Sequence, residues 1–389
     1  MTPSTQIEGV AIVRAASSPS WINRKLSGRI PELDGVRGLA ILLVLILHLA
    51  VMTVTPTAEW QMKSMVLFRL YCNGVDLFFV LSGFLIGGIL LDSKGAAGYY
   101  RTFYLRRLHR IAPVYAVLIA TFAIGGYFIG GEMFNHRVPF WSYPLFIQNI
   151  FMTLHGYGSG WMSATWSLAV EEQFYLVLPF AVQRLSRKGI VGFAIGMIVI
   201  APVLRVLIAR EGFNGCNLLP CRSDALGFGL LVAVACRNRT VWTWLVSYRR
   251  CVCWAFALLG LLGLDGILGG FVLGYGWTAV GYTWIAAFNT ALLILAIVTP
   301  GRIVGPMFRN FALSWLGTVS YFVYLFHGGI QLLYHHVFFG QMPSVHNLPT
   351  LYVTVLSLVT VLVLAGISWR VLEKPLLKRA AMRYRYGRI

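Results

Sequence analysis

Arg37 and His48 lie eleven residues apart in the stretch ELDGVRGLAILLVLILHLAVM, residues 32–52, where every position from Leu39 to Met52 is apolar except the histidine. On an α-helix, eleven steps of ~100° return to within ~20° of the same face, and the two residues stand ~16 Å apart along the axis. The spacing sets a permanently charged guanidinium at the mouth of an apolar helix and an imidazole in its middle. A guanidinium suits phosphate recognition, and an imidazole suits general-base or nucleophilic work. A plainer account stays open on these residues alone. Arg37 would then follow the positive-inside bias of membrane helices, and His48 would satisfy a neighbouring carbonyl.

Four further segments carry groups able to do chemistry. In RRLHR, Arg106, Arg107 and Arg110 fall at three- and four-residue spacing, so pairs of them share a helix face. Like charges this close repel unless an anion lies between them, and a diphosphate or a lipid headgroup is such an anion. NGVDLFFVLSGFLIGGILL holds Asp76 and Ser82, polar groups that need partners in an apolar helix, beside small residues that let another helix approach. WMSATWSLAVEEQFYLVLPF brings Glu171 and Glu172 into an apolar run. Adjacent side chains point to different helix faces, so only one of the two reaches a given site. LGTVSYFVYLFHGGI presents Ser320, Tyr324 and His327 as a polar stripe at helical spacing. Asp224 and Glu373 complete the acids near helix ends.

These groups must be held by something, and composition says what. The chain has 389 residues, of which 58% are hydrophobic and 12% charged, with a mean hydropathy of +0.73; about 25% charged is usual for soluble domains. Backbone in lipid must satisfy its own hydrogen bonds, and the apolar runs are continuous rather than alternating, so helices are predicted over a barrel. The sequence predicts an all-α, polytopic membrane helical bundle of about ten transmembrane helices, near 39–54, 71–91, 111–129, 166–182, 190–208, 223–236, 251–269, 278–299, 313–335 and 351–371. Most Lys and Arg residues fall in alternate connections, which puts both termini in the cytoplasm. The net charge of +19 is therefore topological. It attracts membrane lipid headgroups and does not call for nucleic acid.

The organisation reads as a cytoplasmic lead over 1–32, which is not a signal peptide, one membrane domain over 33–376, and a basic cytoplasmic tail over 377–389. The aromatic, glycine-rich segment from Gly130 to Thr165 is the longest outer connection and is placed to cap a site. Cys216 and Cys221 fall in a predicted outer loop, either as a disulfide or as two thiols. No cysteine spacing suggests a metal, and none is expected. No inverted repeat of the transporter kind is evident.

Taken together, the motifs resemble the acyltransferase 3 family of membrane proteins. The resemblance is carried by LDGVRGLAILLVLILH, GVDLFFVLSGFLIGGILL, RRLHRIAPVY, WSLAVEEQFYL, LGTVSYFVYLFH and LEKP, which follow the family order from residue 33 to 375. It implies an O-acyltransferase of the bacterial cytoplasmic membrane, most often an O-acetyltransferase. The donor would be cytoplasmic acetyl-CoA or another acyl-CoA, and the acceptor a hydroxyl of a cell-surface or lipid-linked glycan. By motif, His48 is the expected base or transient acyl carrier, with Glu171 and Asp76 as further catalytic candidates that could set its tautomer. Arg37, Arg107 and Arg110 are expected to hold the donor's phosphates, and Ser82, Trp166, Tyr324 and His327 to bind substrate. Many members carry an additional esterase-like domain, which these 389 residues do not include. The alternative is a proton-coupled transporter or flippase, in which the buried His, Asp and Glu would relay protons. Neither the acceptor's identity nor the oligomeric state is legible in the sequence.

Overall fold

The computed structural model describes residues 31–53, 73–128, 134–135, 137–268, 277–299 and 304–387. The polar lead up to residue 30, Cys72 and Arg302 lie outside the described residues. The described part is helical throughout: α1 Pro31–Leu45, continued by a wider π-turn Ile46–Val51; α2 Gly74–Asp92; α3 Tyr99–Phe128; α4 Gln148–His155; α5 Thr165–Arg184; α6 Arg187–Arg210; α7 Leu219–Cys236; α8 Arg239–Ser247; α9 Arg249–Leu268. A π-turn at Trp277–Gly281 leads into α10 Tyr282–Val298. Then come α11 Val304–Phe308, α12 Phe311–Phe339 and α13 Leu348–Ser368, the last joined through a π-turn at Trp369–Glu373 to α14 Lys374–Arg383.

Among the described residues, seven helices are long and apolar enough to cross a membrane, or eight when α8 and α9, bent by 72°, count as one broken span. The two expected spans missing from that set, 39–54 and 166–182, do lie on helices, α1 and α5. Both carry charges that a lipid-facing helix would avoid: Glu32, Asp34 and Arg37 on α1, and Glu171, Glu172 and Arg184 on α5. Together with α3, these helices supply the ionisable groups of the site described below.

Two close crossings set the frame. α1 packs chiefly on α12, and α2 on α7. Both crossings use glycine, because a side chain would hold the backbones apart. A Cβ on Gly317 of α12 would stand 1.9 Å from the Asp34 carbonyl oxygen of α1, and one on Gly83 of α2 would stand 2.1 Å from that of Leu226 on α7. Caps fix several helix starts. The Asn310 side chain accepts from the Ala312 amide, and Asn347 forms a capping box with Thr350 at the start of α13. Glu32, buried at the start of α1, accepts from Arg309 Nε at 2.7 Å, which ties α1 to the α11–α12 link.

The chain's end folds back on α3. Arg106 Nε donates to the Tyr384 carbonyl at 2.8 Å, its guanidinium lies 5.3 Å from the Tyr386 ring centre, and the Gly387 amide donates to the Ala97 carbonyl at 3.1 Å. Burial pushes the Tyr386 hydroxyl above its ordinary pKa. The basic tail is thus partly a packed strap. Cys216 and Cys221 are free thiols. Of the two readings left open for this pair, the two thiols hold; Cys221 lies on α7 rather than in a loop, with its side chain buried.

Candidate active site

Two cavities adjoin at one end of the bundle. The larger, about 450 Å³, is lined by Asp34, Arg37, Arg106, Arg107 and Arg110, with Gly317 and Thr318 of α12, Trp369, and Leu377, Ala380 and Ala381 of α14. The smaller, about 210 Å³, runs between α2, α3, α5 and α12 and is lined mainly by apolar side chains. Arg37, Arg107 and Arg110 line both. The sequence brings them together because α1 and α3 each present an arginine face at the same end of the bundle. Two of the three have a carboxylate at ion-pair distance. Arg37 is 3.6 Å from Asp34, Arg110 is 3.8 Å from Glu373, and the Arg107 guanidinium lies 5.7 Å from the Tyr175 ring centre. The arginine face read from RRLHR therefore opens onto a cavity.

Above the arginines, the small cavity holds a continuous hydrogen-bonded chain. Tyr175 donates to Glu171 Oε2 at 3.1 Å, and Ser82 Oγ lies 2.5 Å from the same tyrosine oxygen. A phenol has one proton, and Tyr175 gives its own to Glu171, so the proton between Ser82 and Tyr175 belongs to the serine. All three residues line the cavity. Of the adjacent acids, Glu171 reaches the site and Glu172 does not, as their neighbouring positions on the helix require. Glu172 keeps one buried carboxylate oxygen without a hydrogen-bond partner. Tyr175 stands four residues beyond Glu171 in EEQFY, so their shared helix face was readable from spacing although sequence reasoning passed it over.

Phe78 and Tyr324 both line this cavity, with their ring centres 6.1 Å apart. The Tyr324 hydroxyl lies 2.5 Å from Ser167 Oγ and donates to the Ala164 carbonyl at 3.1 Å. Behind it sit the two histidines. His327 packs 6.1 Å from Tyr324 and edge-on to His48, with 5.1 Å between the imidazole centres. Ser320 and Tyr324 thus line the cavity while His327, on the same stripe, and His48 do not. The register that put Arg37 and His48 on one face assumed a regular α-helix. The π-turn that begins at Ile46 breaks that register just before His48.

Both rings have a defined tautomer. His48 Nδ1 is 2.9 Å from the Val44 carbonyl, and His327 Nδ1 is 2.8 Å from that of Tyr324. A carbonyl only accepts, so each Nδ1 carries the proton and each neutral ring keeps its lone pair on Nε2. The backbone, rather than Glu171 or Asp76, orients His48.

Asp76 has a different partner, which sequence reasoning missed. Arg222 Nη2 donates to Asp76 Oδ1 at 2.6 Å, both side chains being at most 2% exposed. The Arg222 guanidinium lies 4.2 Å from the Tyr282 ring centre, 5.5 Å from Phe79 and 5.8 Å from Trp166. Trp166 therefore packs on this ion pair, and it does not line the small cavity. A second buried arginine, Arg205, donates to Asp224 at 2.9 Å and to Thr283 at 2.6 Å. An arginine inside an apolar run was the available signal for Arg205.

The sequence profile of the acyltransferase domain family matches residues 30–369. The chain belongs to the acyltransferase 3 family. Among its relatives is the peptidoglycan O-acetyltransferase OatA of Listeria monocytogenes, 26% identical over 384 residues, an alignment covering 92% of this chain and 57% of that protein. Another is YrhL of Bacillus subtilis, 26% identical over 374 residues, covering 89% of this chain and 55% of the other. The chain thus spans a little over half the length of these curated relatives. No solved structure matches it.

Proposed function

We propose that this protein is an O-acyltransferase, chiefly an O-acetyltransferase, that takes an acyl group from cytoplasmic acyl-CoA and passes it to a hydroxyl of a cell-surface or lipid-linked glycan. The observation that carries the reading is the trio Arg37, Arg107 and Arg110, shared by two cavities and facing a Ser–Tyr–Glu chain. Coenzyme A is a phosphate-rich head on a thin, largely apolar arm that ends in a thioester. The larger cavity would take the head, with the guanidiniums on its phosphates. The small cavity, lined by Leu81, Leu85, Ile86 and Ile89 among others, would take the arm. The positive-inside distribution supports an arrangement of ten spans with both termini cytoplasmic in a bacterial cytoplasmic membrane, which opens the arginine cavity to the donor pool.

His48 would act on the other substrate. With Nδ1–H held by Val44, its Nε2 lone pair would lift the proton from the acceptor hydroxyl, and His327 would position that ring and the acceptor. The peptidoglycan acyl transfer named for the Listeria relative supports a glycan acceptor. The test is incubation of the purified protein with labelled acetyl-CoA and glycan acceptors. Label covalently attached to the glycan supports the reading. Glycan or sugar flux in proteoliposomes without acyl transfer would instead identify a transporter.

A further inference from the structure

Phe78 and Tyr324 line the small cavity, whereas His327, packed 6.1 Å from Tyr324, and His48 behind it do not. A thioester carbon delivered through that cavity meets the wall that bears Ser82 before it meets an imidazole. We propose that Ser82 is a transient covalent acyl carrier, activated through Tyr175 by Glu171; this rests on the acyl-CoA reading above.

The hydrogen-bond order singles out the serine. Glu171 only accepts, and the Tyr175 oxygen both donates to Glu171 and accepts from Ser82. Ser82 is the first donor of the chain, so its proton has a path to a carboxylate. This is the logic of an activated hydroxyl nucleophile, with a tyrosine between nucleophile and base. Ser82 also follows Phe78 by one helical turn on α2, so an ester formed on it would lie beside the ring pair that separates the two halves of the site.

The atoms balance in two steps. Ser82 Oγ attacks the thioester carbonyl carbon while its proton moves to Tyr175 and the tyrosine proton to Glu171. The C–O bond forms, the C–S bond breaks, and the sulfur leaves with the bonding pair and recovers that proton as the free thiol. In the second step the acceptor hydroxyl oxygen attacks the serine ester. Its proton goes to His48 and from there to water, the Ser82–acyl bond breaks, and the Ser82 oxygen takes the Tyr175 proton, which a proton from water replaces. One proton enters and one leaves.

A covalent carrier makes the first step reversible without acceptor, so the full chain should exchange labelled coenzyme A into acetyl-CoA in the absence of any glycan. Ser82→Ala should lower that exchange and overall transfer by at least about 100-fold, and Ser82→Cys should restore exchange through a thioester. In acid-quenched wild-type protein incubated with labelled acetyl-CoA, the label should sit on the peptide containing Ser82. Three results would overturn the carrier: transfer without exchange in the wild type, exchange persisting in Ser82→Ala, or label on Tyr175, His48 or any other residue. A wild type that neither transfers nor exchanges would instead overturn the acyl-CoA reading on which the carrier rests.

Discussion

The Asp76–Arg222 pair makes a demanding test of how this site is built. Both side chains are at most 2% exposed, and one 2.6 Å hydrogen bond joins them. Asp76 Oδ2 and Arg222 Nε are buried with no hydrogen-bond partner, while the rings of Tyr282, Phe79 and Trp166 surround the guanidinium. Removing one partner strands a buried charge among apolar groups, at a cost of about 3–5 kcal/mol. Asp76→Leu and Arg222→Met should each destabilise the protein by that amount. The double variant, which removes both charges and keeps similar volume, should lie within about 2 kcal/mol of wild type, since such replacements are often neutral or stabilising. The coupling from the cycle is then at least about 4 kcal/mol, read by reversible unfolding in mixed micelles. If the single effects simply add in the double variant, Asp76 and Arg222 are not coupled as a buried ion pair. A double variant that is stable but unable to transfer acyl groups would return Asp76 to a direct part in the chemistry.

Other outcomes follow from the same geometry. His48→Ala should lower acyl transfer by roughly 10²–10⁴-fold, the usual contribution of a general base, while the affinity for acetyl-CoA measured by titration stays unchanged, because His48 lines neither of the two cavities that share the arginines. Transfer at the wild-type rate in that variant refutes the base. Gly83→Ala sets a methyl group 2.1 Å from the Leu226 carbonyl oxygen. The helix-propensity gain of about 1 kcal/mol is outweighed by an overpacking cost of about 1–3 kcal/mol or more, so the thermal unfolding midpoint in detergent should fall. A midpoint at or above wild type would show that α2 and α7 can separate freely.

The helical frame was legible because lipid leaves the backbone few choices: long apolar runs had to be helices, and ionisable groups inside them had to cluster. Thus Arg37, Arg107, Arg110, Ser82, Glu171 and Tyr324 do line one connected site. Partners across helices were less legible, because they depend on which faces meet. Arg222 was set just outside a span predicted to begin at residue 223, and α7 instead starts at Leu219, which carries Arg222 inside to meet Asp76. The π-turn at Ile46–Val51 has no proline or glycine to announce it, so His48 was placed one register too simply. The tail over 377–389 was read from charge alone as a basic cytoplasmic segment, and charge gave no sign that Arg106 and Ala97 hold its 384–387 portion against the protein.

The central claim is that the guanidiniums of Arg107 and Arg110 hold the phosphates of an acyl-CoA donor, and titration of the purified protein with acetyl-CoA tests it most directly. Each charge-assisted hydrogen bond is worth about 1.5–3 kcal/mol, so the Arg107→Ala, Arg110→Ala double variant should bind the donor ~10²–10⁴-fold more weakly. A dissociation constant equal to that of the wild type would contradict the account.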